Sequence, residues 1–111
     1  EFAGPWNFGP SYNSNITVRE LVNIVKKRWN DIEVEFEKPK IYESKYLMLD
    51  SSKAYNKLKW KPVWGIDLTI NNTIDWYKNY YEKKIVKTDD QIENFIQDAQ
   101  KNKISWALDV T

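Results

Sequence analysis

Apolar residues recur at helical spacing over much of this chain, and this periodicity constrains its fold more than any other feature. Val18, Val22 and Val25 form the first apolar stripe, and the pair Thr17 and Glu20 before it has the spacing of a capping box. Helices are predicted to begin at residues with capping side chains, over four stretches: from Thr17, from Asp50 to Leu58, from Asp67 to about Lys83, and from Thr88. Residues 88–91 form a second capping-box pattern. The predicted apolar face of the third helix consists of Ile70, Ile74, Tyr77 and Tyr81.

Short apolar segments between these helices predict two or three strands. Trp6 to Gly9 lies between two prolines, Glu33 to Glu37 alternates polar and apolar side chains, and Tyr46 to Leu49 is a brief apolar run. Strands this few and this short cannot build a sheet with two faces of its own. The predicted fold class is therefore α+β and helix-rich, with three or four helices and no complete dinucleotide-binding sheet.

The composition argues against several classes of site. The chain has no Cys and no His, so it lacks thiolate and imidazole metal ligands, disulfides and the commonest general base. Its net charge of +1, from 17 basic and 16 acidic residues, lacks the basic excess typical of nucleic-acid binding. No segment approaches the ~20 apolar residues of a membrane span. We expect no metal site, no nucleic-acid partner, no membrane partner and a cytoplasmic location.

Aromatic residues make up 15% of the chain, as six Trp, seven Tyr and four Phe. Such side chains can build a core from few residues, but Trp and Tyr also suit a surface that docks onto a partner. A possible homodimer follows from the second interpretation. So does one alternative function, a free-standing aromatic-rich interaction module.

Three segments, taken in order, resemble the pattern of a known family. They read WNFGP at residues 6–10, YESKYLMLD at residues 42–50, and SKA followed by LKWKP at residues 52–62. Extended short-chain dehydrogenases that act on nucleotide sugars carry an N-x-G segment, an acidic residue before a strand ending in Asp, and an S-K-A … L-G-W-x-P helix in the C-terminal lobe. Over about residues 4–97 the chain most resembles the CDP-glucose 4,6-dehydratases.

The resemblance implies the NAD-dependent conversion of CDP-glucose to CDP-4-keto-6-deoxyglucose and water. It also implies that residues 1–111 are the small C-terminal substrate-binding lobe, a fragment without the N-terminal NAD-binding domain that would be its partner. The only glycines are Gly4, Gly9 and Gly65, so no Gly-rich phosphate-binding turn exists. We therefore assign no cofactor to this lobe, leave NAD to the parent enzyme, and expect the lobe alone to be inactive.

No catalytic residue is assigned to the chain. Two pairs have the Tyr-x-x-x-Lys spacing of the family's catalytic motif, but they stand on helices with no dinucleotide fold upstream, and we interpret both as chance matches. The pairs are Tyr55 with Lys59, and Tyr80 with Lys84. Asn7, Asp50 and Lys53 are interpreted as structural, Asp50 as a helix cap and Lys53 as a side chain that covers apolar surface with its stem.

Four candidate residues for binding the nucleotide are carried over from the resemblance. Glu43 occupies the acidic position that accepts hydrogen bonds from ribose hydroxyls, and Tyr42 is its neighbour. Lys40 and Lys45 stand in for an Arg at the diphosphate, as point charges without its two-pronged geometry. The competing interpretation is that they are solvated loop residues. A lobe of another nucleotide-sugar epimerase or dehydratase remains a further alternative.

Overall fold

The computed structural model describes residues 1–38 and 48–108, and within these ranges the chain is helical. A short 3₁₀ turn, Tyr12–Ser14, precedes the α-helices. The helices are α1 (Val18–Arg28), α2 (Ser52–Leu58), α3 (Ile66–Lys83), α4 (Thr88–Lys101) and α5 (Ser105–Leu108). Within the same ranges, no helix combines the length and the apolarity needed to cross a membrane.

The prediction of an α+β fold is wrong, and only its helix-rich part holds. Residues 1–38 and 48–108 contain no strand, so Trp6 to Gly9 and Glu33 to Glu37 are not strands. Of the third predicted strand, Met48 and Leu49 are also outside any strand, and residues 46–47 lie outside the described residues. Alternation gives a segment two faces, but a strand forms only when a second backbone pairs with it. No described segment supplies that pairing.

Helix α1 begins with the predicted capping box. The hydroxyl of Thr17 accepts a hydrogen bond from the backbone N–H of Glu20 at 3.2 Å, and the Glu20 carboxylate accepts one from the backbone N–H of Thr17 at 2.7 Å. These bonds satisfy N–H groups that a helix start leaves without partners. The backbone bond from Thr17, and then the bond from its hydroxyl, lower the pKa of Glu20.

The end of α1 packs against α3. Arg28 forms an ion pair with Asp75 at 3.5 Å, and Lys78 donates to the backbone carbonyl of Arg28 at 3.2 Å. The Trp29 and Tyr81 rings lie with their centroids 6.3 Å apart. Both side chains of the ion pair are about half exposed, so water screens their attraction and the pair adds little stability.

Helix α3 buries the first half of its apolar face and exposes the second. Ile70 and Ile74 are 7% and 5% exposed, whereas Tyr77 and Tyr81, predicted on the same face, are 47% and 58% exposed. The helix ends at Lys83 and is followed by Lys84, whose φ of 57° lies in the left-handed region. The N–H groups after this end bond back to the last turn, as in a Schellman motif.

Helix α4 begins where predicted, but without the predicted capping box. Lys87 precedes the helix and Thr88 is its first residue, with no capping bond from a side chain. The Thr88 hydroxyl instead accepts a hydrogen bond from the indole N–H of Trp76 at 2.8 Å, and Gln91 donates to the carbonyl of Asn72 at 2.6 Å. The polar side chains that suggested a cap therefore attach α4 to α3.

A small core joins α4 and α5. Ala99, Ile104 and Ala107 are 0–2% exposed, and Val63 packs against them. The indole N–H of Trp64 donates to the Asp98 carboxylate at 2.9 Å, beside the ring of Phe95. The chain beyond Lys101 is therefore part of the fold as far as Leu108.

The described core contains only small and medium side chains. Its buried apolar residues are Ala54, Ile70, Ile74, Ala99, Ile104 and Ala107. The Cα radius of gyration is 17.0 Å, whereas a compact chain of this length has a radius of about 13 Å. The aromatic residues thus do not form an ordinary central core, and several lie at the surface.

Candidate functional site

The segments that carry the sequence pattern come together around α2. The ammonium of Lys53 donates to the carbonyl of Pro5 at 2.9 Å and lies 4.5 Å from the centroid of the Trp6 ring. The rings of Phe8 and Trp60 meet edge to face, with centroids 5.0 Å apart. Residues 5–10 are therefore fixed against both ends of α2 by side chains. Lys53 thus makes structural contacts, but through its ammonium group and not through the stem that was predicted to cover apolar surface.

Gly9 allows the closest approach between these segments. A Cβ atom at this position would lie 3.2 Å from the Cβ of Leu49 and 3.6 Å from the hydroxyl oxygen of Ser51. The first distance is tighter than most real Cβ contacts. The missing side chain of Gly9, and not an unusual backbone angle, is what lets residues 5–10 lie against residues 49–51.

Asp50 acts on the start of α2, as predicted. Its carboxylate accepts hydrogen bonds from the hydroxyl of Ser52 and from the backbone N–H of Ser52, the latter at 2.8 Å. These two bonds, in that order of importance, lower the pKa of Asp50. Asp50 therefore stabilises the start of α2 through its hydrogen bonds to Ser52.

Two open grooves adjoin this contact. The first, the α2 groove, has a volume of about 320 Å³ and is lined by residues that include Gly9, Tyr12, Leu49, Ser52, Tyr55 and Trp60. The second, the Trp64 groove, has a volume of about 390 Å³ and is lined by residues that include Phe8, Trp60, Val63, Trp64, Ile66 and Phe95. Residues 9–10 and 60–62 form a wall that the two grooves share.

The α2 groove combines apolar walls with a few polar groups, as small-molecule sites commonly do. The aromatic residues Tyr12, Tyr55 and Trp60 line it together with the polar residues Asp50 and Ser52. Within the described residues, the buried hydroxyl oxygen of Ser51 has no hydrogen-bond partner. Chemically, the groove can hold a planar ring against aromatic faces and offer hydrogen bonds at its edge.

All four predicted nucleotide-binding residues lie outside the described residues. These are Lys40, Tyr42, Glu43 and Lys45, which fall in the gap between residues 38 and 48. Their roles therefore stay predictions. Met48, the first described residue after the gap, lines the α2 groove. Tyr12 and Tyr55 line the groove but were not among the predicted binding residues. Gly9 and Trp60, which also line it, stand within the segments that suggested a family.

The two Tyr-x-x-x-Lys pairs have different surroundings. Tyr55 and Lys59 line one pocket of about 320 Å³. The ammonium of Lys84 lies 5.5 Å from the centroid of the Tyr80 ring. The three glycines are scattered at residues 4, 9 and 65, and residues 1–38 and 48–108 contain no strand followed by a Gly-rich turn.

Comparison with known proteins supports a distant relationship to one enzyme. The chain is 35% identical over 83 residues to the CDP-glucose 4,6-dehydratase of Salmonella typhimurium, a match that covers 70% of this chain and 22% of that protein. The chain thus spans about a fifth of the length of this curated relative. No protein-family model matches the chain. No solved structure matches it.

The match agrees in part with the resemblance drawn from the three segments. It supports a distant relationship between this chain and a nucleotide-sugar dehydratase. It covers too little of that enzyme to assign its reaction, its substrate or its partners to this chain.

Proposed function

We propose that this chain is the sugar-nucleotide-binding lobe of a CDP-glucose 4,6-dehydratase-type enzyme and is catalytically incomplete by itself. The observation that carries the proposal is the match over 83 residues to such a dehydratase. The structure adds support, because the described parts of all three resembling segments meet beside the α2 groove. Their meeting points are the contacts of Gly9 with Leu49 and of Phe8 with Trp60.

In this proposal the NAD-binding domain is a separate folded unit that docks on the lobe. The accessible surface of the chain is 9610 Å², against about 6,500 Å² expected for a compact monomer of its mass. The excess surface includes exposed aromatic and aliphatic side chains such as Phe2, Phe8 and Tyr12. A partner domain that covers this surface would complete a core that the chain builds only in part.

The proposed binding residues come from the α2 groove and from residues 40–45, which precede it in the sequence. Trp60 and Tyr55 offer aromatic faces to a pyrimidine base, and Glu43 accepts hydrogen bonds from ribose hydroxyls. Tyr42 contacts the base or a phosphate, while Lys40 and Lys45 supply positive charge to the diphosphate. The reaction itself is left to groups on the NAD-binding domain.

Calorimetric titration of CDP-glucose into the 111-residue chain tests the proposal. The variants Glu43→Gln and Trp60→Ala should each weaken binding by about tenfold, as expected when a charged hydrogen bond or a stacking face is lost. Trp106→Ala is a matched control, since Trp106 is 41% exposed on α5 and does not line the α2 groove. Equal affinities for all four proteins, or no binding at all, would overturn the assignment.

A turnover assay tests the second half of the proposal. CDP-glucose and NAD mixed with this chain should give no 4-keto sugar above a control without protein. Turnover above that control would show that the chain is not an incomplete lobe. Competition between CDP-, UDP- and dTDP-glucose then discriminates a CDP-glucose enzyme from another nucleotide-sugar epimerase or dehydratase.

The exposed aromatic residues favour one alternative, a free-standing interaction module. Tyr77, Tyr80 and Tyr81 are 39–58% exposed along one end of α3. Light scattering over a range of concentrations separates the two proposals. A discrete homodimer that does not bind CDP-glucose favours the module, whereas a chain that binds CDP-glucose favours the lobe.

A further inference from the structure

Three lysines line one concave surface that adjoins the α2 groove. Lys59, Lys61 and Lys103 line a pocket of about 320 Å³ with Tyr55, Ile104 and Ser105. We call it the lysine pocket. No carboxylate is among these lining residues. The ion pairs in the described part of the chain involve other residues, namely Arg28 with Asp75, Lys87 with Asp90, and Lys101 with Asp98.

Two of these lysines occupy backbone positions that do not favour a lysine. Lys59 and Lys103 have φ angles of 56° and 54°, in the left-handed region. They follow α2 and α4, where a glycine would adopt this conformation without the clash that a Cβ causes. Lys84 has the same conformation, with a φ of 57°, but does not line the lysine pocket. A lysine with a left-handed backbone therefore need not line the pocket, and Lys84 can serve as a control for this conformation.

The chemistry of the lining suits a multiply charged oxyanion. Three of its lining residues are lysines, whose ammonium groups carry three N–H donors each, and Tyr55 and Ser105 carry hydroxyl groups. Ile104, which is 2% exposed, gives the pocket a rigid apolar side. The positive charges of three neighbouring lysines repel one another. An anion with two or more negative charges offsets this repulsion, because it attracts all three lysines at once. A ligand without negative charge gains no electrostatic attraction from such a lining.

We propose that the lysine pocket binds a phosphate group with at least two negative charges, such as a diphosphate. The proposal goes beyond the binding of a sugar nucleotide in the α2 groove, and it does not depend on the dehydratase assignment. Tyr55 and Lys61 line both surfaces, so the two adjoin each other. Lys59 and Lys103 line only the lysine pocket and therefore report on it alone.

Titration of the 111-residue chain with inorganic diphosphate at low salt tests the proposal. Lys59→Gln and Lys103→Gln should each raise the dissociation constant by about fivefold, because each removes one point charge beside the anion. Lys84→Gln is the matched control, since it removes a lysine with the same backbone conformation outside the pocket. Circular dichroism checks that all variants keep the helical content of the unchanged protein.

Salt dependence gives a second readout that a merely structural role would not change. The slope of log Kd against log salt concentration should fall for Lys59→Gln and Lys103→Gln but not for Lys84→Gln. Titrations with CDP and with uncharged cytidine show whether the pocket binds the diphosphate group or the nucleoside. CDP should bind in a Lys103-dependent manner, and cytidine should not. The proposal is overturned if diphosphate does not bind at about ten millimolar, or if all three lysine variants bind it alike.

Discussion

The helical region, formed by α1, α3, α4 and α5, and the groove region, formed by residues 5–12 and 48–62, are held together by different kinds of contact. In the helical region each helix satisfies its own backbone hydrogen bonds and buries part of one face, as at Ile70 and Ile74. In the groove region single side chains connect the segments, as Lys53 does with Pro5. The first region rests on repeated contacts and the second on a few.

This difference indicates that the helical region acts as a scaffold and that the groove region carries the candidate binding site. A region with repeated, self-satisfied contacts opens at a high free energy, whereas one with few contacts opens more easily. Ligand-binding surfaces are commonly drawn from regions of the second kind. We therefore expect substitutions in the helical region to change global stability, and those in the groove region to change local order and binding.

The largest effect is expected from Ile74→Ala in the helical region. The side chain is 5% exposed, so its loss leaves a cavity and should reduce the free energy of unfolding by about 2–4 kcal/mol. Urea denaturation measures this change. Ile92→Ala on α4 is the matched control, because Ile92 is 53% exposed and its truncation should cost less than about 1 kcal/mol. Equal costs would show that the α3 face is not a core.

The next effect in size is expected from Gly9→Ser in the groove region. An added Cβ would press on the Cβ of Leu49 at 3.2 Å, and overpacking of this kind costs about 1–3 kcal/mol. Gly65→Ser makes the same change where no atom lies within 4 Å of the added Cβ. Gly65 precedes α3 at a position that favours Ser, so this control should be neutral or stabilising. A neutral Gly9→Ser would disprove the close approach.

Lys53→Met tests the side-chain link within the groove region. Methionine keeps an apolar stem but loses the bond to Pro5 and the charge over Trp6, at a cost of about 1 kcal/mol in this exposed setting. Limited proteolysis should show faster cleavage near residues 1–10. Lys57→Met, one turn along α2, should leave the cleavage rate unchanged. Faster cleavage in both variants would mean that Lys53 has no special role.

The smallest effects are expected from pH, and they occur in both regions. Hydrogen bonds lower the pKa of Glu20 below its ordinary value of 4.5 and that of Asp50 below 3.8. A lowered pKa in the folded state favours folding above the ordinary pKa, and this stability is lost as the pH falls through the folded value. The Tm should therefore fall between pH 5 and acidic pH.

Melting curves of Glu20→Gln and Asp50→Asn check this pH dependence. Each variant should show a smaller fall in Tm over the acidic range than the unchanged protein. Thr17→Ala keeps the backbone N–H that is the main cause of the lowered pKa of Glu20, so it should retain part of the fall. A pH dependence identical in all four proteins would contradict these hydrogen bonds.

The helical region could largely be predicted from the sequence. The Thr17 capping box and the extent of α3 follow from local spacing, because helix hydrogen bonds join residues close in sequence. The prediction of a capping box at Thr88 was wrong, because the Thr88 hydroxyl accepts a hydrogen bond from the indole N–H of Trp76 instead. A bond between residues of two different helices leaves no trace in local spacing.

The groove region could be predicted only in part. Residues 6–9 have the composition of a strand, but strand pairing depends on a distant backbone that local sequence does not reveal. The segments around Gly9 and Trp60 suggested a family, yet their contacts with Leu49 and Phe8 emerged only from the structure. The roles of Lys40, Tyr42, Glu43 and Lys45 stay predictions, because those residues lie outside the described ranges.

The wall shared by the α2 groove and the Trp64 groove has a consequence for how this surface changes during evolution. Trp60 faces both grooves, so one substitution there alters the shape of two cavities at once. The two cavities therefore cannot acquire new specificities independently through Trp60, and divergence of one alone must use residues such as Tyr12 or Phe95, which line only one of them.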